Sequence, residues 1–136
     1  MNIVLWILQL LLAALYLWHG WFMVAPPAEM LDMVNSTFGV GLRTFIGVAE
    51  LLAAAGLILP GVTRILPRLV VWAATGLMIV MASAVVFHLF RGEVSSAISG
   101  AVTLALLTFV AYMRWKVKPI SPRNSSPQFK KLNTVS

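Results

Sequence analysis

The sequence predicts an all-α integral membrane protein, a four-helix bundle with both termini on the cytoplasmic side. The first observation is composition: the 136 residues are 60% hydrophobic and only 10% charged, which leaves too little polar surface for a water-soluble domain. The second is four apolar runs, each long enough to cross a bilayer. The third is that most basic residues gather on one side of the predicted bundle, which predicts its orientation.

Prolines, glycines and charges bound the four predicted spans. The spans cover residues 3–24, 40–59, 69–90 and 94–115. The first ends before Pro26-Pro27 and the second at Pro60-Gly61, because proline cannot donate the backbone hydrogen bond that continues a helix. Between these two spans, residues 28–34 mix apolar and acidic side chains and are predicted to form a short amphipathic turn at the membrane interface. Together the spans make one domain, residues 1–115.

The positions of the basic residues predict the topology. Eight of them lie in the loop after the second span or at the C-terminal end: Arg64, Arg68, Arg114, Lys116, Lys118, Arg123, Lys130 and Lys131. The positive-inside rule then places both termini in the cytoplasm and the multi-pass protein in the cell (inner) membrane. Topology signals of this kind argue against binding to nucleic acid. Residues 116–136 are rich in Pro, Ser, Asn and Lys and are predicted to be a disordered basic cytoplasmic tail.

Glu50 is the most informative residue, because it is an ionisable side chain near the middle of the second span. Such a group costs about 2.5–3.5 kcal/mol at mid-membrane unless it faces a partner or a wet cavity. Arg43, the other charge in this span, lies two helical turns earlier on the same face. Their Cα atoms are separated by about 10.5 Å along the axis, so a histidine, a water or a bound molecule fits between them better than a direct ion pair does.

Each predicted span carries a polar or small-residue face, mostly in the half away from the termini. These faces contain Gln9, Tyr16 and His19; Arg43, Gly47 and Glu50; Ser83 and His88; and Ser96, Ser99, Gly100 and Thr103. Lipid cannot hydrogen-bond these groups, so we expect the faces to meet in a polar pocket that opens outward and has Glu50 near its floor. The candidate catalytic residues are Glu50 and His88. The candidate substrate-binding residues are Arg43, His19, Tyr16, Ser99 and Thr103.

Each candidate also has a simpler structural interpretation. The hydroxyls can bond back to their own helix, Glu50 can be a structural anchor, and Arg43 can snorkel to headgroups. His19 and His88 could hold a b-type haem or, with Glu50 or Glu93, a metal ion, but no flanking motif supports either. Hydrogen-bonded neutral histidines are therefore expected, and no metal site is predicted. The absence of cysteine excludes thiolate ligands and thiol redox relays.

Three motifs resemble those of a known family. They are Arg43-Thr44-Phe45-Ile46-Gly47-Val48-Ala49-Glu50-Leu51-Leu52, Gly56-Leu57-Ile58-Leu59-Pro60, and Gly76-Leu77-Met78 followed by residues 84–88. In this set the chain resembles the DoxX-like branch of the DoxX family of small four-helix membrane proteins. The resemblance covers residues 1–115, implies that fold, and points to Arg43, Gly47, Glu50 and His88. Its relatives include small subunits of thiosulfate:quinone oxidoreductases, associates of oxidative-stress enzymes, and assembly chaperones for ligand-gated channels.

These observations favour a membrane subunit, or a component that binds a small quinone-like molecule, in redox-linked metabolism. In that hypothesis Glu50 and His88 exchange protons with the molecule and Arg43 holds its oxygen. The alternative is a non-enzymatic chaperone or assembly partner of another membrane or redox protein. A proton-coupled exporter is a third hypothesis, and it would require a homo-oligomer because four helices are few for transport. No motif assigns a reaction, so the sequence leaves open whether the protein is an enzyme.

Overall fold

The computed structural model describes residues 2–123, and every regular element in that range is helical. The elements are α1 (Asn2–Val24), α2 (Ala28–Phe38), α3 (Val40–Thr63), α4 (Leu69–Phe90), α5 (Val94–Tyr112) and a π-helical segment (Met113–Val117) that continues α5. Four of these helices, α1, α3, α4 and α5 with its extension, are long and apolar enough to cross a membrane. The predicted fold class, an all-α membrane protein with four spans, is confirmed.

The largest differences from the predicted boundaries are at the end of α3 and in α2. The second span does not end at Pro60-Gly61, because α3 continues to Thr63. Proline removes one backbone donor but does not prevent the next residues from adopting helical dihedrals, and the helix ends instead at Arg64, whose φ of 59° is left-handed. The predicted short turn at residues 28–34 is an 11-residue helix, α2, which ends at Gly39 with a φ of 73°.

The bundle consists of two tightly packed antiparallel pairs. α1 packs along α3, α4 packs along α5, and α3 joins the pairs through α4, whereas α1 and α5 contact each other sparsely. The buried core lies between the pairs and contains Leu12, Ala13, Tyr16, Ala54, Leu57, Ala74, Leu77, Leu107, Val110 and Ala111. Because α1 and α5 contact each other sparsely, a gap remains between them along part of their length.

The backbones of α1 and α3 approach each other closely at Gly20 and Gly47. A Cβ atom added to Gly47 would lie 2.7 Å from the carbonyl oxygen of Gly20 and 2.9 Å from the Cβ of Met23. Small residues at this crossing let the two backbones touch, which is how helices associate in lipid without a hydrophobic driving force. The contact sets the register of the helix pair that carries Glu50.

A buried arginine joins three helices at the end of the bundle that carries the chain termini, here called the terminal end. The Nε of Arg114 donates to Oε1 of Gln9 at 2.6 Å, and its Nη1 donates to Oδ1 of Asn2 at 2.7 Å. The Nε2 of Gln9 donates in turn to the Leu57 carbonyl at 2.7 Å. Only 3% of Arg114 is exposed, so this residue is an internal crosslink as well as one of the basic residues that predict topology.

Residues 118–123, at the start of the predicted tail, are held against the end of α3. The Nε of Arg64 donates to the Ser121 carbonyl at 2.9 Å, and the backbone N–H of Arg123 donates to the Arg64 carbonyl at 3.1 Å. The first part of the predicted disordered tail, residues 116–136, is therefore ordered by these contacts as far as residue 123. Its remaining residues, 124–136, lie outside the described residues.

We expect Gly47→Ala to lower the free energy of unfolding by about 1–3 kcal/mol, because the new methyl group meets a backbone oxygen that cannot move aside. Gly76→Ala is the matched control, since its Cβ would meet nothing within 4 Å. Thermal unfolding of both variants in detergent measures the difference. Equal midpoints for the two variants would contradict the close contact of α1 with α3.

Candidate ligand cavity

A cavity of about 780 Å³ lies between the two helix pairs, in the half of the bundle opposite the terminal end. Residues from all five helices line it, and most of the wall is apolar. The polar side chains in the wall are Tyr16, His19, Thr37, Glu50, Ser83, His88, Ser96, Ser99 and Thr103. α1 and α5 are crosslinked at the terminal end by Arg114 and contact each other little elsewhere, which leaves room for the cavity.

The carboxylate of Glu50 pairs with His19 in the cavity wall. Nδ1 of His19 and Oε2 of Glu50 are 2.6 Å apart and share a hydrogen bond. Glu50 is fully buried, while 37% of the His19 side chain is exposed. The contact of Gly20 with Gly47 brings the two residues within reach, because each is within one turn of a contacting glycine. The prediction that Glu50 faces a polar partner across the bundle, and not lipid, is confirmed.

Two buried polar atoms in the wall have no hydrogen-bond partner among the described residues. They are the hydroxyl oxygen of Tyr16 and Oε1 of Glu50. Tyr16 is only 2% exposed and lies three residues before His19, on the same face of α1. A buried polar atom left unpaired costs about 1–3 kcal/mol. A bound group that hydrogen-bonds to these two atoms would remove that cost.

Arg43 does not line the cavity and does not contact Glu50. Its Nη1 donates to the carbonyls of Met23 at 2.6 Å and Val24 at 3.1 Å, and its Nε donates to Oδ1 of Asn35 at 2.6 Å. The guanidinium thus satisfies carbonyls that the last turn of α1 leaves unpaired and ties α2 to the bundle. The structure therefore places the Arg43 side chain between the end of α1 and α2, outside the cavity lining.

His88 lines the cavity but bonds to the turn between α4 and α5, and not to Glu50. Its Nδ1 shares a hydrogen bond with Oε2 of Glu93, and Oε1 of that carboxylate accepts from Nε of Arg91 at 2.9 Å. The hydrogen bond from Arg91, followed by the one with His88, holds the pKa of Glu93 below its ordinary value. The guanidinium of Arg91 also lies 5.5 Å from the ring centroid of Phe87 in the cavity wall.

The hydroxyl groups in the wall bond to their own helices. Ser83 donates to the carbonyl of Ile79, Ser99 to that of Ser96, and Thr103 to that of Ser99, at 2.9–3.0 Å. The back-bonding interpretation of these residues is therefore correct. Their oxygens can still accept a hydrogen bond from a molecule in the cavity.

The two histidines occupy separate sites, each with its own carboxylate. No three His, Cys, Asp or Glu side chains come together within residues 2–123 in a way that could hold a metal ion. Sequence reasoning grouped His19, Glu50 and His88 in one pocket, and the structure places all three in one wall. Glu93 was not identified from the sequence as the partner of His88, although a separation of five residues across a tight turn could have indicated the pair.

The fold and the cavity define a class: a multi-pass membrane protein with a ligand-sized chamber and a buried carboxylate–histidine pair in its wall. Comparison with known families matches residues 7–110 to the DoxX-like family, a range that contains every polar residue of the cavity. The chain belongs to the DoxX-like family, as the motifs around Glu50 predicted. No curated protein and no solved structure matches it.

We expect Glu50→Gln to preserve stability, because the amide oxygen can still accept from His19. Glu50→Leu should leave Nδ1 of His19 unpaired and lower the free energy of unfolding by about 1–3 kcal/mol. Denaturant unfolding of the wild type and both variants tests this. Identical stabilities for all three would show that the side chain makes no important internal bond.

Proposed function

We propose that the protein binds a small amphiphile, quinone-like in size, in the cavity and serves redox-linked metabolism as a subunit or binding component of the cell (inner) membrane. The observation that carries the proposal is the buried His19–Glu50 pair in the wall of a largely apolar cavity. Ligand sites typically enclose about 300–1,000 Å³ and combine apolar walls with a few oriented polar groups. A volume of about 780 Å³ lies within that range.

The cavity rim supports entry from the bilayer. Leu42 and Phe45 both contribute to the lining, and they are 54% and 71% exposed on the surface of the bundle. Apolar side chains shared between the cavity and the lipid-facing surface suit a ligand that is dissolved in the membrane. A water-soluble substrate would gain little from such a rim.

In this proposal, the His19–Glu50 pair exchanges protons with the bound molecule. Glu50 is buried against the ligand, and His19, more than a third exposed, connects the carboxylate to the outside. His88 is a second proton-exchanging group in the wall, linked to Glu93. Tyr16, Ser99 and Thr103 then orient the ligand from the wall.

The proposed orientation puts the cavity on the outer side of the membrane and both termini in the cytoplasm. The Asn2–Arg114 and Arg64–Ser121 hydrogen bonds gather the basic loop and the ends of the described chain at the terminal end of the bundle. The positive-inside rule directs that end to the cytoplasm.

Reporter fusions test this orientation. A reporter active only in the cytoplasm should work when fused after Ser136 and fail when inserted within residues 29–35. The reverse pattern would place the cavity on the cytoplasmic side and overturn the proposed topology.

Extraction of bound lipids from the purified protein tests the ligand. We expect an amphiphile to co-purify with the wild type and to be lost from Ala84→Phe, which fills the cavity wall. Ala82→Phe is the matched control, since Ala82 is exposed on the same helix and does not line the cavity. Equal ligand content in all three proteins would mean that the molecule binds elsewhere.

A second candidate function, assembly with another membrane protein, is favoured by a shallow groove between α3 and α4. Its lining is apolar and includes Ala53, Gly56, Ala73 and Gly76, small residues of the kind that admit a neighbouring helix. The same purification distinguishes the two functions. A stoichiometric protein partner, retained in Ala84→Phe and without a bound amphiphile in the wild type, would favour assembly.

A further inference from the structure

The polar side chains in the cavity wall determine which kind of ligand oxygen can be hydrogen-bonded there. We propose that the site selects a neutral amphiphile that bears a hydroxyl group over the same molecule with an oxygen that can only accept hydrogen bonds. This inference rests on the proposed function, that the cavity binds an amphiphile, and adds the chemical class of its polar group.

The preference arises from which atoms are already paired. Oε2 of Glu50 is engaged by Nδ1 of His19, so Oε1 remains as an unpaired acceptor. The hydroxyl of Tyr16 is likewise buried and unpaired in the same wall. Tyr16 and His19 lie on one face of α1, and His19 contacts Glu50 directly, which places the two unpaired atoms in one region of the wall.

A ligand hydroxyl satisfies both atoms at once. It donates its hydrogen to Oε1 of Glu50 and accepts from the hydroxyl of Tyr16. An ether oxygen can accept from Tyr16 but leaves the carboxylate oxygen buried and unpaired. Sites that hydrogen-bond a hydroxyl discriminate strongly against analogues that lack it, because the buried protein group is then left without a partner.

The charged side chains around the cavity favour a neutral ligand over an anionic one. No Lys or Arg side chain among residues 2–123 lines the wall. The two arginines at this end of the bundle are engaged elsewhere, Arg43 by the end of α1 and Arg91 by Glu93. A carboxylate or phosphate would therefore meet Glu50 with no Lys or Arg side chain in the wall to offset the two negative charges. The rest of the wall is apolar and includes Phe38, Phe45 and Phe87, which suits an aromatic or alkyl body.

The test compares 4-octylphenol with its methyl ether, 4-octylanisole, by equilibrium binding to the full chain in lipid nanodiscs. Empty nanodiscs give the partition of each probe into lipid alone. We expect the wild type to bind the phenol about tenfold or more tightly than the ether, which corresponds to the cost of leaving one buried acceptor unpaired. Ala84→Phe should abolish binding of both probes, and Ala82→Phe should leave both unchanged.

Glu50→Gln provides the sharper variant. Its amide oxygen takes the bond from His19, so the amide nitrogen, a donor, replaces the free acceptor Oε1. The preference for the phenol should disappear or reverse in this variant, while the ether still binds. In Tyr16→Phe both probes should weaken, because each loses the same donor, and the preference for the phenol should persist.

The possible failures are distinguishable. If the wild type binds phenol and ether equally, or if Glu50→Gln keeps the full preference, the inference about the hydroxyl is overturned while the amphiphile site stands. If neither probe binds the wild type above empty nanodiscs, the proposed function and the inference both fail.

Discussion

The contact between Gly20 and Gly47 fixes how α1 and α3 pack, and the positions of the polar side chains in the cavity wall depend on that packing. It brings α1 and α3 to backbone distance, and nothing larger than glycine fits at Gly47 without displacing the Gly20 carbonyl. On one side of this contact His19 meets Glu50, and on the other Arg43 reaches the last carbonyls of α1. Lipid cannot hydrogen-bond these polar groups, so they depend on partners within the protein. The contact between the two glycines brings those partners within hydrogen-bonding distance.

The two ends of the bundle differ in how far their buried polar groups are bonded to one another. At the terminal end, four of the five polar side-chain atoms of Arg114 and Gln9 bond to protein atoms, Nη2 of Arg114 has no partner among the described residues, and the guanidinium lies 5.1 Å from the ring centroid of Trp6. These bonds hold the helices together. At the other end, Tyr16 and Glu50 each keep an unpaired atom, and the helices enclose a chamber. The same fold thus has one end where polar side chains join the helices and one end where a cavity separates them.

The sequence predicted the four spans, the family and the exceptional position of Glu50, because the cost of charge in lipid and the length of apolar runs are properties of one helix at a time. Which side chain meets Glu50 depends on the rotation and register of α1 against α3, and spacing along one helix does not reveal these. The role of Arg114 was missed for a similar reason. Its neighbours Lys116 and Lys118 suggest a solvated basic end, and its burial depends on Gln9, 105 positions away.

The long-range bonds of Arg114 also determine the order in which the protein can be completed during biosynthesis. α1 enters the membrane carrying Asn2, Gln9 and His19, whose partners are synthesised later. His19 can pair only after Glu50 has been inserted with α3, and Asn2 and the side-chain oxygen of Gln9 must wait for Arg114. α1 therefore enters the membrane before the helices that supply its polar partners, and its polar side chains stay unsatisfied in lipid until those helices follow.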